Sequence, residues 1–227
     1  MSNILTSSFW HNLISKPLSD VFYAASYSGL ADFTKKTHRM FIHERQAPNG
    51  AEDFFKQFKK PLDICNAVID VSDKNDQINA LFEQHLEDSV LKHPFYGTWL
   101  ADVRKNCELL AEMIKDNEIN LSLDTLAGSV RFHNDGDILK ARLLCTYKGP
   151  GTEWLKTPNV NLRAFNNRLG NEDIVRDKTD IQQTSPWDVA VFDGGDDGIF
   201  HRSPEHPEYN QSGEMTRICL RINNRIM

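Results

Sequence analysis

Three side chains in the second half of the chain could together hold a metal ion. His133 and Asp135, in Arg131-Phe132-His133-Asn134-Asp135, stand two residues apart, so on an extended strand an imidazole and a carboxylate point the same way. His201, in Phe200-His201-Arg202-Ser203-Pro204, follows the apolar run Asp188-Val189-Ala190-Val191-Phe192 and supplies a second imidazole far downstream. Two imidazoles and one carboxylate on one face of an ion form the set suited to non-haem Fe(II), which leaves positions open for other ligands. His133, Asp135 and His201 are therefore the candidate ligands and the candidate catalytic centre. Each has an ordinary alternative: Asn134-Asp135-Gly136 also reads as turn chemistry, His133 as a satisfied strand histidine and His201 as a surface-loop histidine. His206, in Glu205-His206-Pro207-Glu208, reads as solvent-exposed or as the fourth ligand of a closed zinc site.

Holding such a set needs rigid elements, and the period of the sequence changes where they should lie. From Ala51 the apolar spacing is helical, with Phe54, Phe55 and Phe58 on one face until Pro61 interrupts. Leu62, Cys65, Val68 and Ile69 continue that apolar stripe. A third helix is expected from about Asp76 through Ile78, Leu81, Phe82, Leu86 and Val90, ended by His93-Pro94. A fourth carries Trp99, Leu100, Val103, Cys107, Leu110 and Ile114 and fades in Lys115-Asp116-Asn117. Beyond Asn117 the period approaches two: Ile119, Leu121 and Leu123 alternate with polar residues, and 129–133, 141–147, 188–193 and 215–222 read as short strands. Residues 156–186 form a long polar insertion with room for one short helix, the candidate lid. Residues 1–50, where Phe9, Trp10, Phe22, Tyr23 and Tyr27 mix with serine and glycine, read as a docked, partly irregular arm.

The expected fold is α+β: a double-stranded β-helix of jelly-roll or cupin-like type, with a ligand in the barrel mouth and N-terminal helices packed against it. Residues 1–117 would be the helical part and 118–227 the metal-binding core, in one structural unit.

The 227 residues, 40% of them hydrophobic, suffice for a full core. A net charge of −6 with no dense basic patch gives no electrostatic footprint for phosphates, so nucleic acid is not expected as a partner. Cys65, Cys107, Cys145 and Cys219 lie far apart without a C-x-x-C pair, which suits reduced, buried thiols better than a disulfide framework. No apolar run reaches bilayer length, and Met1-Ser2-Asn3-Ile4-Leu5-Thr6 lacks a basic and then apolar leader, so a cytoplasmic address is expected and a membrane is not.

The order of motifs adds a resemblance. After His133-x-Asp135 come Arg142-Leu143-Leu144-Cys145-Thr146-Tyr147 and the turn Gly149-Pro150-Gly151-Thr152-Glu153-Trp154. A buried strand ending in Gly194-Gly195 follows, then His201 and a last strand, Met215-Thr216-Arg217-Ile218-Cys219-Leu220-Arg221-Ile222. From about Arg131 to Ile222 this order resembles the Fe(II)- and 2-oxoglutarate-dependent dioxygenases. The resemblance implies a double-stranded β-helix, Fe(II) held by His133, Asp135 and His201, and 2-oxoglutarate as co-substrate with its far carboxylate on an arginine of the last strand. Arg217 and Arg221 share one face of that strand, opposite Ile218, Leu220 and Ile222, and a planar guanidinium fork suits a carboxylate. Arg142, Thr146 and Tyr147 are further candidate co-substrate contacts. The combination of Arg131-Phe132-His133-x-Asp135, Thr146-Tyr147-x-Gly149-Pro150-Gly151-Thr152-Glu153-Trp154 and His201-Arg202-Ser203-Pro204 also resembles a bacterial family of uncharacterised proteins.

The leading expectation is an oxygenase of hydroxylase or demethylase type acting on a small-molecule or protein substrate. A reading from another class is a cupin-like protein that holds Zn²⁺ or another divalent ion for sensing, storage or delivery, which a closed sphere of four ligands would mark. A third is an interaction module without metal, which exposed aromatic surface in residues 1–50 would mark.

Overall fold

The alternation that begins after Asn117 produces strands whose two faces serve different ends. The structure, a computed structural model, describes residues 19–62, 64–126 and 128–225. Its strands are β1 (Ser19–Tyr23), β2 (His38–His43), β3 (Ile64–Asp70), β4 (Glu118–Asp124), β5 (Gly136–Lys148), β6 (Glu153–Leu155), β7 (Ile181–Gln183), β8 (Val189–Gly195), β9 (Phe200–Arg202) and β10 (Ile218–Asn224). Seven of them form a large sheet in the order β1-β2-β8-β5-β10-β4-β3, and three a small sheet in the order β7-β6-β9. An isolated antiparallel bridge between His133 and His201 extends the small sheet beyond β9.

From β4 onward the chain visits large sheet, small-sheet bridge, large, small, small, large, small, large. The central large-sheet strands stand in the order β8-β5-β10-β4 and the small-sheet segments in the order β7-β6-β9-His133. That winding is a double-stranded β-helix, as expected, in a mixed α+β chain. β2 and β1 extend the large sheet beyond β8, and β3 extends it beyond β4.

Period two then sorts the side chains. Ile119, Leu121 and Leu123 of β4, Ala141, Leu143, Cys145 and Tyr147 of β5, Val189 and Val191 of β8, and Ile218, Leu220 and Ile222 of β10 join one apolar cluster on the outer face. The helices α1 (Tyr27–Leu30), α2 (Ala51–Phe55), α3 (Lys74–His85), α4 (Asp88–Leu91) and α5 (Tyr96–Ile114) precede or interleave with these strands. The α5 stripe of Trp99, Leu100, Val103, Cys107 and Leu110 packs into the same cluster, with Trp99 stacked on Phe82 at 5.0 Å between ring centroids. Each such side chain contributes roughly 1.5–3 kcal/mol on burial, far more than helix propensity supplies. The inward face of the large sheet carries Leu144, Ala190, Phe192 and Cys219, which meet Trp154 of the small sheet.

Several local expectations are overturned. Residues 64–70 are a strand and not the continuation of a helix, because their β-branched residues complete the open edge of β4; Cys65 and Val68 are consequently exposed. Cys107, Cys145 and Cys219 are buried free thiols. The expected third helix is two, α3 and α4, with Leu86 and Glu87 extended between them. The arm expected over residues 1–50 supplies β1 and β2 in its described part, while Phe9 and Trp10 lie outside the described residues. The strand expected over 129–133 is reduced to the single bridge at His133.

The 156–186 insertion holds more than one short helix: α6 (Leu162–Asn166), α7 (Asn171–Ile174) and β7. Its Val160, Ala164, Ile174 and Val175 pack with Phe132, Leu155 and Phe200 on the outer face of the small sheet. It is a cover for that sheet and does not lie over the cavity as a lid would. Among the described residues no helix is long and apolar enough to cross a membrane.

Candidate metal centre

The bridge between His133 and His201 is what brings two distant imidazoles together. His133 N donates to His201 O at 3.1 Å and His201 N donates to His133 O at 2.8 Å, a reciprocal antiparallel pair whose side chains leave the same face. The ring centroids are 4.6 Å apart. Each ring is oriented in the same way: Nδ1 of His133 donates to the Arg131 carbonyl at 2.9 Å, and Nδ1 of His201 to the Ile199 carbonyl at 3.1 Å. Carbonyl oxygens only accept, so both Nδ1 atoms carry the proton and both Nε2 atoms present a lone pair. Asp135 follows on the same face as His133, and its Oδ1 lies 3.8 Å from Nε2 of His201.

One donor atom from each of His133, Asp135 and His201 lies within 4.8 Å of the others; donors about 2.1 Å from a shared ion stand roughly 3 Å apart at right angles, so the three side chains would draw together on binding one. The side chains of Asp135 and His201 are each only 3% exposed, yet Nε2 of His201 and Oδ2 of Asp135 have no hydrogen-bond partner among the described residues. Buried polar atoms are normally satisfied, so an orphaned atom on each of two candidate ligands fits a bound cation. Burial pushes the His201 imidazole down to about 4, opposed by Asp135 and assisted by His133 and Arg142, so the ring is neutral near pH 7 and able to ligate. His206 and the cysteines are not members of this group; among the described residues it comprises these three alone. Nδ1 of His206 instead lies 3.0 Å from the hydroxyl of Thr216.

The site opens on a cavity of about 440 Å³ that also exposes Arg142, Arg202, Arg217 and Arg221. Three of these arginines have carboxylate partners. Arg142 Nη1 meets Oδ1 of Asp135 at 2.5 Å, Arg202 Nε meets Glu153 at 2.5 Å, and Arg221 grips both oxygens of Asp124 at 2.8 and 3.2 Å. Arg217 is different. It is 3% exposed, donates from Nε to the Pro150 carbonyl at 2.9 Å and from Nη2 to the Thr146 hydroxyl at 3.4 Å, and pairs with no carboxylate among the described residues. Gly149 makes this seat: at φ +81° it takes a left-handed turn, and a Cβ there would stand 2.1 Å from the Thr216 carbonyl, against the chain entering β10.

Of the residues singled out from sequence, His133, Asp135, His201, Arg142, Thr146, Arg217 and Arg221 thus converge on one region, whereas Tyr147 does not. Its side chain leaves the helix face of β5, where its hydroxyl donates to Asp102 at 2.9 Å and its ring packs 4.9 Å from that of Trp187. Two contributors were not anticipated. β3 and the residues before it bring Leu62, Ile64 and Cys65 to the cavity wall, and Asn223, 1% exposed, accepts from Arg142 Nε at 2.9 Å. The polar pair Asn223-Asn224 at the end of an apolar strand was the available signal.

The family model for a protein of unknown function, DUF1826, matches residues 24–222. The chain belongs to the DUF1826 family. No curated protein matches it. Among solved structures, this DUF1826 chain is similar to the dioxygenase for auxin oxidation 1 from Arabidopsis thaliana in binary complex with 2-oxoglutarate, with 10% identity, a TM-score of 0.39 and 92% of each chain covered. It is also similar to a full-length Neurospora crassa protein in complex with alpha-KG, with 11% identity, a TM-score of 0.37, and 93% of this chain and 86% of that chain covered.

Proposed function

We propose that this chain is a mononuclear non-haem Fe(II)- and 2-oxoglutarate-dependent oxygenase of hydroxylase or demethylase type. The observation that carries the reading is the pairing, at one cavity, of a two-histidine, one-carboxylate set having orphaned donor atoms with a buried arginine that has no carboxylate partner among the described residues. His133 and His201 would hold the ion through Nε2 and Asp135 through Oδ2, three ligands on one side with the cavity on the other. Fe(II) with 2-oxoglutarate and dioxygen supplies the oxidation of an unactivated C–H bond.

The chain's own residues do the rest. Arg217, held in place by the Pro150 carbonyl and the Thr146 hydroxyl, would take the far carboxylate of the co-substrate, an anion that offsets the burial of an otherwise uncompensated guanidinium. Arg221 is already gripped through two nitrogens by Asp124 and holds the cavity wall instead. Leu62, Ile64 and Leu144 make the wall apolar and limit water near the reacting groups.

Anaerobic titration of metal-free protein with Fe(II) and then 2-oxoglutarate tests this directly. A visible charge-transfer band is expected on chelation, lost in Arg217→Met and kept in Arg221→Met. Iron binding with no band, or a band indifferent to Arg217, would overturn the assignment.

A further inference from the structure

Two kinds of part-buried arginine–aspartate pair lie at the large sheet, and their difference assigns a role to Arg142. Arg221 grips both oxygens of Asp124, at 2.8 and 3.2 Å. On the other face, Arg45 grips both oxygens of Asp102, at 2.5 and 3.2 Å. This is the parallel fork a guanidinium ordinarily forms with a carboxylate. Arg142 forms none: Nη1 takes Oδ1 of Asp135 at 2.5 Å, while Nε is diverted to the side-chain oxygen of Asn223 at 2.9 Å. Asn223 is itself only 1% exposed, so this diversion runs from β10 through β5 to the segment after the His133 bridge. The result is a carboxylate with one oxygen clamped and the other, Oδ2, buried and bare.

We propose that Arg142 is a positioning residue of the metal centre: by occupying Oδ1 it restricts Asp135 to ligation through Oδ2 alone, and Asn223 enforces this by keeping Arg142 from forking. This rests on the metal reading above. Carboxylates bind divalent ions through one oxygen or both, and a two-oxygen Asp135 would consume a position that the facial arrangement leaves open. The clamp therefore preserves the room a chelating co-substrate and a further small ligand need. Arg142 touches neither; it acts through Asp135.

The test uses the full chain loaded with Mn²⁺ alone, reading affinity and the water-proton relaxation of the bound ion, which counts its exchangeable waters. In Arg142→Met the freed carboxylate is expected to close on the ion, lowering relaxivity by about a third as one of three open positions is lost. Arg142→Lys, which keeps a single-point donor, should restore most of it. In Asn223→Ala the released Nε should fork onto Oδ2 and weaken Mn²⁺ binding by about tenfold, the scale expected when an outer-sphere partner is altered. A merely structural ion pair would move melting temperature in these variants and leave affinity and relaxivity alone. Should Arg142→Met fail to fold, Arg142→Lys and Asn223→Ala carry the same test. Wild-type protein that loads Mn²⁺ while the folded variants match it in both readouts would overturn the clamp and spare the metal reading; wild-type protein that takes up no divalent ion would overturn both.

Discussion

Two carboxylates on opposite sides of the large sheet, Asp102 of α5 and Asp135 just before β5, stand in contrasting states. On the helix face, Asp102 accepts from Arg45, Tyr147 and Asn106, and Tyr27 lies within hydrogen-bonding range, so both oxygens are engaged. On the cavity face, Asp135 has one oxygen paired and one bare, beside a histidine with a bare Nε2. A fully satisfied network specifies and rigidifies a core; a partly satisfied one destabilises the empty fold and marks where a ligand belongs. The contrast between the two sides of one sheet separates groups kept for folding from groups kept for chemistry.

The most drastic way to break the comparison is at the ligands. His133→Ala is expected to abolish divalent-ion uptake, read by elemental analysis after loading, while far-UV circular dichroism of the helical layer stays unchanged. Full metal occupancy in that variant would remove His133 from the centre. On the other face Asp102→Ala strands the Arg45 guanidinium, and a loss of ~3–5 kcal/mol is expected in urea denaturation, the range for breaking one partner of a buried pair. A loss below about 1 kcal/mol, the scale of an exposed pair, would show that the helix-face network does not hold the fold together.

Arg217→Met should weaken 2-oxoglutarate binding to the loaded protein by about a hundredfold, as removal of a buried charge-pairing partner does, with metal affinity unchanged; calorimetry separates the two. A further effect is on pH dependence. The unfolded chain protonates His201 as pH falls below 6.5, but the folded chain resists until about 4, so metal-free protein loses stability across that window and regains it as pH rises. His201→Phe should flatten that part of the stability profile, and an unchanged slope would assign it to other groups.

Much of this was legible in the residues. The i, i+2 spacing of His133 and Asp135, the apolar stripe of α5 and the shared face of Arg217 and Arg221 follow from strand and helix periods, and the structure has each of them. The helix expected at 64–70 failed because its apolar residues fit either period, and the edge of β4 decided in favour of a strand. Tyr147 adjoins Thr146, so one of them had to point away from the cavity, but the alternation does not say which.

What the sequence by itself determined are the properties that depend on local geometry and side-chain chemistry: which residues share a face, which can ligate an ion, and where a glycine turn follows the strand of Thr146. The tertiary structure alone decided which face meets the helices, that the insertion covers the small sheet, that Arg142 pairs with Asp135 and that Arg217 is left without a carboxylate among the described residues. Those outcomes depend on partners far away in the chain. Strand periodicity fixes the direction of a side chain relative to its neighbours, and only the packing of sheets against one another fixes what that side chain meets.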